Sequence, residues 1–225
     1  NDVIKKMKLT NILFRALEKN ELFLQFQPQV KSETEEIVGF EALLRWNNSE
    51  YGMVSPNVFI PLAEKTGLIK TIGLWVIKRV CEQCRDCRKK NSKSYRISIN
   101  VSLEQLKDIN IVKKISTILK ETETEAKNIQ IEITESIAFN EEPFVLHRLQ
   151  ELKKLGLTIA IDDFGTGFSS LSRLKLFPID LIKIDIQFVR GITSNSQKDK
   201  AIIEGTIQLA KNLGIETLAE GVETR

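Results

Sequence analysis

Two adjacent acids, Asp162 and Asp163, end the apolar run that opens "AIDDFGTGFSS" (160–170), and a glycine-bracketed turn follows them. Successive side chains of a strand point to opposite faces, so neighbouring acids converge only where a strand gives way to a loop. Holding two carboxylates together is unfavourable unless a cation or a shared proton neutralises them. Other largely apolar runs are interrupted by polar groups, among them Glu41 in 37–46, Asn100 near the end of 95–102, Glu132 in 129–136, Lys183 in 180–186 and Glu220 in 216–221. Acids are seldom buried without a partner. The array offers carboxylates and one amide, with no thiol or imidazole, and such oxygen donors suit Mg2+ or Mn2+, with Ca2+ as a competitor. Lys183, between Ile182 and Ile184, reads as a counter-ion for these acids or as a group that orients a water, and the two roles are compatible. The glycines after the acids permit a sharp turn, with a phosphate cradle as the alternative reading.

Positioning these groups requires strands, and the sequence supplies them in series. Strand-like runs at 22–30, 37–46, 95–102, 129–136, 157–164, 180–186 and 216–221 alternate mostly with helical patterns, among them 142–156 and 198–214. Strands alternating with helices predict parallel βα units and an α/β fold. The first two runs are joined by "KSETEE", too tight for a parallel crossover, so they are expected to pair antiparallel. One uninterrupted series points to a TIM-like (β/α) barrel, whose active sites gather at the C-terminal ends of the strands. A complete barrel usually takes about 250 residues, so these 225 residues are expected to lack the last strand and helix.

Composition removes several function classes. The net charge is +3 with both signs interspersed, and no basic stripe interleaved with aromatics marks a polynucleotide partner. No apolar run approaches a membrane span, so no membrane contact is expected of this segment. The lone His147 leaves no multi-histidine zinc site and argues against a Ser-His-Asp triad, and it reads as a surface helix residue. Cys81, Cys84 and Cys87 are spaced C-x-x-C-x-x-C. With no fourth cysteine for an iron–sulfur set, they read as reduced thiols on a helix, in keeping with a cytoplasmic protein.

At these residues the sequence resembles the EAL domain family, the cyclic di-GMP phosphodiesterases of bacteria. The triplet Glu41-Ala42-Leu43 stands within "GFEALLRW", accompanied by "FQPQV", "FIPLAEKTGLI", "INVS", "IEITES", "IDDFGTGFSSL", "LIKID" and "LAEGVET", in the family's order across nearly the whole chain. The resemblance implies that Glu41, Asn100, Glu132 and Asp162 hold one Mg2+ or Mn2+. It gives Asp163 and Glu220, with Asp162 bridging, to a second ion. Lys183 matches the lysine that contacts the hydrolytic water, so the implied catalytic residues are Lys183, Glu41 and Glu220. Glu135 matches a glutamate that braces the loop after the fifth strand. Gln27 and Arg45 match positions lining the substrate cleft, Arg45 against a phosphate. Leu44 and Pro61 match cleft wall near a guanine, against the plainer readings of Leu44 as core and Pro61 as a helix start.

The implied activity is metal-dependent hydrolysis of cyclic di-GMP to linear pGpG. The alternatives are a receptor that holds the dinucleotide without cleaving it, and a regulatory dimerisation module. Residues 1–225 read as one EAL domain, with 1–21 a connector helix, the barrel starting near 22 and its end truncated, since family members continue past "AEGVET" into a further strand and helix. The resemblance also implies a homodimer through the loop at 164–170. An upstream GGDEF or sensor domain is expected, and the whole is placed in the cytoplasm, even where the larger protein is membrane-anchored.

Overall fold

Every second residue of "LFLQFQPQV" and "IVGFEALLRWNN" is turned to one face, and β1 (Leu22–Val30) and β2 (Ile37–Asn48) form from these runs as an antiparallel pair. In this computed structural model residues 2–91, 94–139, 142–167, 174–194 and 196–222 are described. The chain divides into two compact units, Asn1–Ile129 and Gln130–Arg225.

In the first unit, α1 (Asp2–Leu13) precedes the β1–β2 hairpin. The pairing register places Gln27 opposite Glu41 and Gln25 opposite Leu43, with an irregularity at Gln29/Val30. A three-residue strand that the sequence did not announce, β3 (Gly52–Val54), returns antiparallel onto β2. α2 (Pro56–Lys65) and α3 (Ile69–Asn91) follow. β4 (Arg96–Asn100) then pairs parallel with β2, Glu41 opposite Ser98. The reading of Pro61 as a helix start is corrected: Pro56 occupies the first turn of α2, and Pro61 lies inside the helix on its exposed side. A proline at the first turn removes an N–H that would lack a partner anyway. Beyond β4 come α4 (Leu103–Leu106) and α5 (Ile111–Glu121). In α5 the buried residues Ile111, Ile115 and Leu119 fall at helical spacing.

The cysteine helix forms as expected, and its cysteines differ in burial. Ile72, Val76, Ile77, Val80 and Cys81 are buried, whereas Cys84 and Cys87 are half-buried. All three thiols are free. Burial pushes Cys81 up to about 11 and Cys84 to about 12, so both are inert thiols at neutral pH.

The second unit is built on parallel βα repeats. β5 (Ile129–Thr134, its first residue counted with the first unit), β6 (Thr158–Phe164), β7 (Leu181–Ile184) and β8 (Glu216–Ala219) pair in that order, all parallel. Ile131, Ile133, Ile159, Ile161, Ile182 and Ile184 are almost wholly buried, each worth about 1.5–3 kcal/mol relative to an exposed side chain. Strands buried on both faces read as continuous apolar runs, so the few polar residues within them stand out. α6 (Glu135–Ala138), α7 (Pro143–Lys154), α8 (Ile186–Thr193) and α9 (Gln197–Leu213) complete the unit. α9 ends at Gly214 in the left-handed conformation, which glycine adopts at a helix end without a Cβ penalty. His147 lies exposed on α7, its Nδ1 3.2 Å from Glu151.

At the N-terminal ends of these strands, Asp180 ties the unit together. Its carboxylate accepts from Lys153 Nζ at 2.7 and 2.8 Å and from the Ile159 amide at 2.8 Å. One expected boundary is corrected: β7 stops at Ile184 instead of running to Ile186, because Asp185 caps α8 by accepting from the Gln187 amide at 2.7 Å. No helix among the described residues is long and apolar enough to cross a membrane.

Candidate active site

In the second unit, strand pairing sets Glu132 opposite Ala160, Asp162 opposite Thr134 and Lys183 opposite Leu218. With a two-residue period, Glu132, Asp162, Lys183 and Glu220 share one face. The contacts bear this out. Lys183 Nζ lies 2.8 Å from Glu132 Oε2, 3.1 Å from Asp162 Oδ1 and 2.8 Å from Glu220 Oε1. Lys183 and Glu132 are fully buried. An unpaired ammonium at such a site costs several kcal/mol, and here it is matched by three carboxylates.

The two adjacent acids meet through an irregularity in β6. Between Ile161 and Phe164 the strand advances three residues while β7 advances only two, from Ile182 to Ile184. The extra residue is a β-bulge, and Asp163 takes it up with φ +55. This left-handed conformation is uncommon outside glycine, and Asp is among the residues that tolerate it. The Asp163 amide donates to Asp162 Oδ1 at 3.0 Å. A carboxylate oxygen from each of Asp162, Asp163 and Glu220 lies within 4.8 Å of the others. Burial first, then the charge of Asp162, then Asp185 and Glu220, push the Asp163 carboxyl up to about 6. Four carboxylates (Glu132, Asp162, Asp163, Glu220) face one ammonium, and the donors are all oxygen. This set fits a hard divalent cation, which oxygen donors suit and which would neutralise the gathered carboxylates.

Two neighbours hold the cluster in shape. Glu135, 3% exposed, accepts from the amides of Gly165 at 2.8 Å and Gly167 at 3.2 Å, which fixes the start of the loop after β6 as expected of a bracing residue. Residues 168–170 of that loop, part of the expected dimer contact, lie outside the described residues. The Glu220 amide donates to the Ile184 carbonyl at 3.1 Å. Gly221 follows with φ +68, and a Cβ there would collide with Ile186 at the start of α8. Glycine is therefore required directly after the Glu220 carboxylate. Asp185, whose side chain bonds Asp163 from the cap of α8, went unremarked in the sequence reading, although it stands two residues from Lys183.

In the first unit, Asn100 Nδ2 donates to Glu41 Oε1 at 2.8 Å, pairing the ends of two parallel strands. Arg45 donates from Nε to Gln25 Oε1 at 2.7 Å and from Nη1 to the Leu44 carbonyl at 3.1 Å. Gln25 and Gln27 on β1 and Glu41, Leu43 and Arg45 on β2 alternate onto one face, where none of them is fully buried. Leu44 departs from expectation: it lies on the opposite face, half-buried, because it is one residue out of phase with Glu41 and Arg45. Leu43 stands between those two, and the period-two signal that identifies it was present in the sequence. Just beyond Arg45, Glu21 accepts from Trp46 Nε1 at 3.1 Å, Asn48 Nδ2 at 2.9 Å and Ser49 Oγ at 3.4 Å. Burial would raise Glu21, but these donors outweigh it and hold the carboxyl below its usual range. Trp46 packs edge-on against Phe59 with centroids 5.7 Å apart.

Comparison with known proteins gives this arrangement a family. The EAL domain profile matches residues 10–225. The chain is 37% identical over 220 residues to "Bifunctional diguanylate cyclase/cyclic di-GMP phosphodiesterase MucR" of Pseudomonas aeruginosa, covering 98% of this chain and 32% of that protein. It is 36% identical over 222 residues to "Cyclic di-GMP phosphodiesterase PdeR" of Escherichia coli, covering 99% and 33%. The chain thus spans about a third of the length of these curated relatives. Among solved structures, "PaMucR Phosphodiesterase, c-di-GMP complex" is similar with a TM-score of 0.92 at 37% identity, over 97% of this chain and 88% of that one. The fold is therefore of the α/β, TIM-like barrel class. By profile, sequence and fold together, the chain belongs to the EAL domain family.

Proposed function

We propose that the chain is a metal-dependent phosphodiesterase that opens cyclic di-GMP to linear pGpG. The observation that carries this reading is the buried Lys183 within 3.1 Å of three carboxylates, beside the converging Asp162, Asp163 and Glu220, in a chain of a family whose relatives bear that activity in their names. Two ions, Mg2+ or Mn2+, are proposed. The ligand roles are those the family resemblance implies: Glu41, Asn100, Glu132 and Asp162 for one ion, and Asp162, Asp163 and Glu220 for the other. Bound divalent ions would lower the pKa of the attacking water and neutralise charge on the phosphodiester oxygens.

The protein's own groups do the rest. Lys183 holds Glu132, Asp162 and Glu220 in place with its three N–H donors, and exchanging one of these contacts would turn a donor to the water. Arg45 binds the phosphate, and Gln27, further along the same face, lines the cleft. Pro61 and Leu44 keep the substrate-wall roles only as the resemblance implies them, and Leu43 fits the face better than Leu44. The water oxygen bonds to phosphorus, the bond to the 3′-oxygen breaks, and that oxygen leaves as the 3′-hydroxyl of pGpG.

The proposal includes a cytoplasmic setting, a homodimer through the loop after β6, and an upstream GGDEF or sensor domain in the larger protein. The test is direct: incubate the chain with cyclic di-GMP and Mn2+ and separate the nucleotides by chromatography. Conversion to pGpG is expected. Dinucleotide that is bound but stays intact at millimolar Mn2+ would overturn hydrolysis in favour of a receptor.

A further inference from the structure

Arg45 is anchored by a residue to which neither the motif resemblance nor the pattern of strand-end acids gave a role. Its Nε–H donates to Gln25 Oε1 at 2.7 Å, the shorter of its two hydrogen bonds, and one Nη1–H is taken by the Leu44 carbonyl at 3.1 Å. A guanidinium carries five N–H donors in a rigid plane. With Nε and one Nη1 donor committed, the plane is fixed, and three donors on its outer edge are left for a ligand. Gln25 reaches Arg45 because the two are diagonal neighbours on one face of the antiparallel pair: Gln25 is opposite Leu43, and Arg45 is opposite Phe23. The same face carries Gln27 and Glu41. Among the described residues no acid lies within ion-pair reach of Arg45, so its positive charge is available to an anion. A carboxylate at position 25 would have cancelled that charge, whereas a neutral amide fixes the geometry without doing so.

We infer that Gln25 is a positioning residue for substrate recognition: it locks the Arg45 guanidinium so that its outer edge receives a phosphodiester oxygen. The inference rests on the phosphodiesterase reading above and adds a specific determinant to it. An arginine left free must be ordered when the ligand binds, and that ordering is an entropic cost on affinity. Gln25 removes the cost beforehand. The effect therefore belongs to binding and not to the chemical step, which separates Gln25 from the acids and Lys183.

The test is a double-mutant cycle on the 225-residue chain with Gln25→Met, Arg45→Met and the pair. Methionine keeps the length of glutamine and removes the acceptor. Two readouts are taken: steady-state hydrolysis of cyclic di-GMP with Mn2+, and equilibrium binding of cyclic di-GMP in EDTA, where no turnover occurs. Gln25→Met is expected to raise KM and the dissociation constant about fivefold, with kcat within twofold of wild type. Arg45→Met is expected to weaken binding further, and adding Gln25→Met to it should cost nothing more. An unchanged KM and binding in Gln25→Met, or full additivity in the double variant, overturns the inference while wild-type hydrolysis keeps the underlying reading intact. A wild-type chain that neither binds nor cleaves cyclic di-GMP overturns both.

Discussion

The β5–β8 cluster and the β1–β2 face solve opposite problems with the same strand periodicity. In the cluster, charges are buried: Lys183 and Glu132 are withdrawn from solvent, and the ammonium is fixed by three carboxylates at 2.8–3.1 Å. On the face, polar groups are partly open, and they are held by neutral partners, Glu41 by Asn100 and Arg45 by Gln25. Burial strengthens electrostatic interactions and makes an unpaired charge costly, so the cluster tolerates little change. An open face with amide partners keeps its charge available to a ligand. The first region concentrates charge around a buried ammonium, and the second leaves polar groups partly open to a ligand.

The largest effect is expected where the cluster loses its cation. Lys183→Met should lower stability by about 3–5 kcal/mol, because it leaves buried carboxylates facing one another, and should reduce turnover by about 100-fold or more. Denaturant melts with and without Mn2+ check this: added Mn2+ should restore much of the lost stability, and a variant as stable as wild type without metal would count against a buried charge cluster. Glu41→Gln comes next. It keeps an acceptor for Asn100 and removes one charge, so the fold should persist while turnover drops about 100-fold. A near-normal rate would remove Glu41 from the proposed ligands.

The third effect concerns stability alone. Glu21 is held below its ordinary range in the folded protein, so its stabilisation is present above the unfolded value of 4.5 and is lost as pH falls through the folded value. Glu21→Gln should therefore cost about 1–3 kcal/mol at pH 7, with the difference from wild type shrinking below pH 4.5. Melts across that range measure it, and a difference independent of pH would show that packing and not charge is responsible. The smallest effect belongs to Gly221→Ala, which strains the backbone beside Glu220 and presses on Ile186. It should raise the Mn2+ concentration for half-maximal turnover by roughly fivefold with little change at saturation. An unaltered Mn2+ dependence would detach Gly221 from the positioning of Glu220.

The strands were legible because burial on both faces leaves continuous apolar runs. Their polar interruptions, Glu132 and Lys183 above all, named the site for the same reason. What escaped the sequence reading was set by exceptions to periodicity. The bulge that brings Asp162 and Asp163 to one side needs an extra residue in β6, and no residue pattern announces a positive φ at Asp163. Leu44 took its cleft-wall role from the motif resemblance, whereas alternation places Leu43 on the face of Glu41 and Arg45. Gln25 and Asp185 gain their meaning from neighbours twenty residues away or across a strand pair. The short β3 and the early end of β7 at the Asp185 cap depend on local hydrogen bonds that compete with strand propensity.

The central claim is that the second unit's acids hold a divalent cation, and anomalous diffraction from crystals soaked in millimolar Mn2+ tests it most directly. The account predicts a peak within coordination distance of Asp162, Asp163 and Glu220, lost in Asp163→Asn. A well-ordered cluster with no anomalous peak, or a peak unaffected by that substitution, would contradict it.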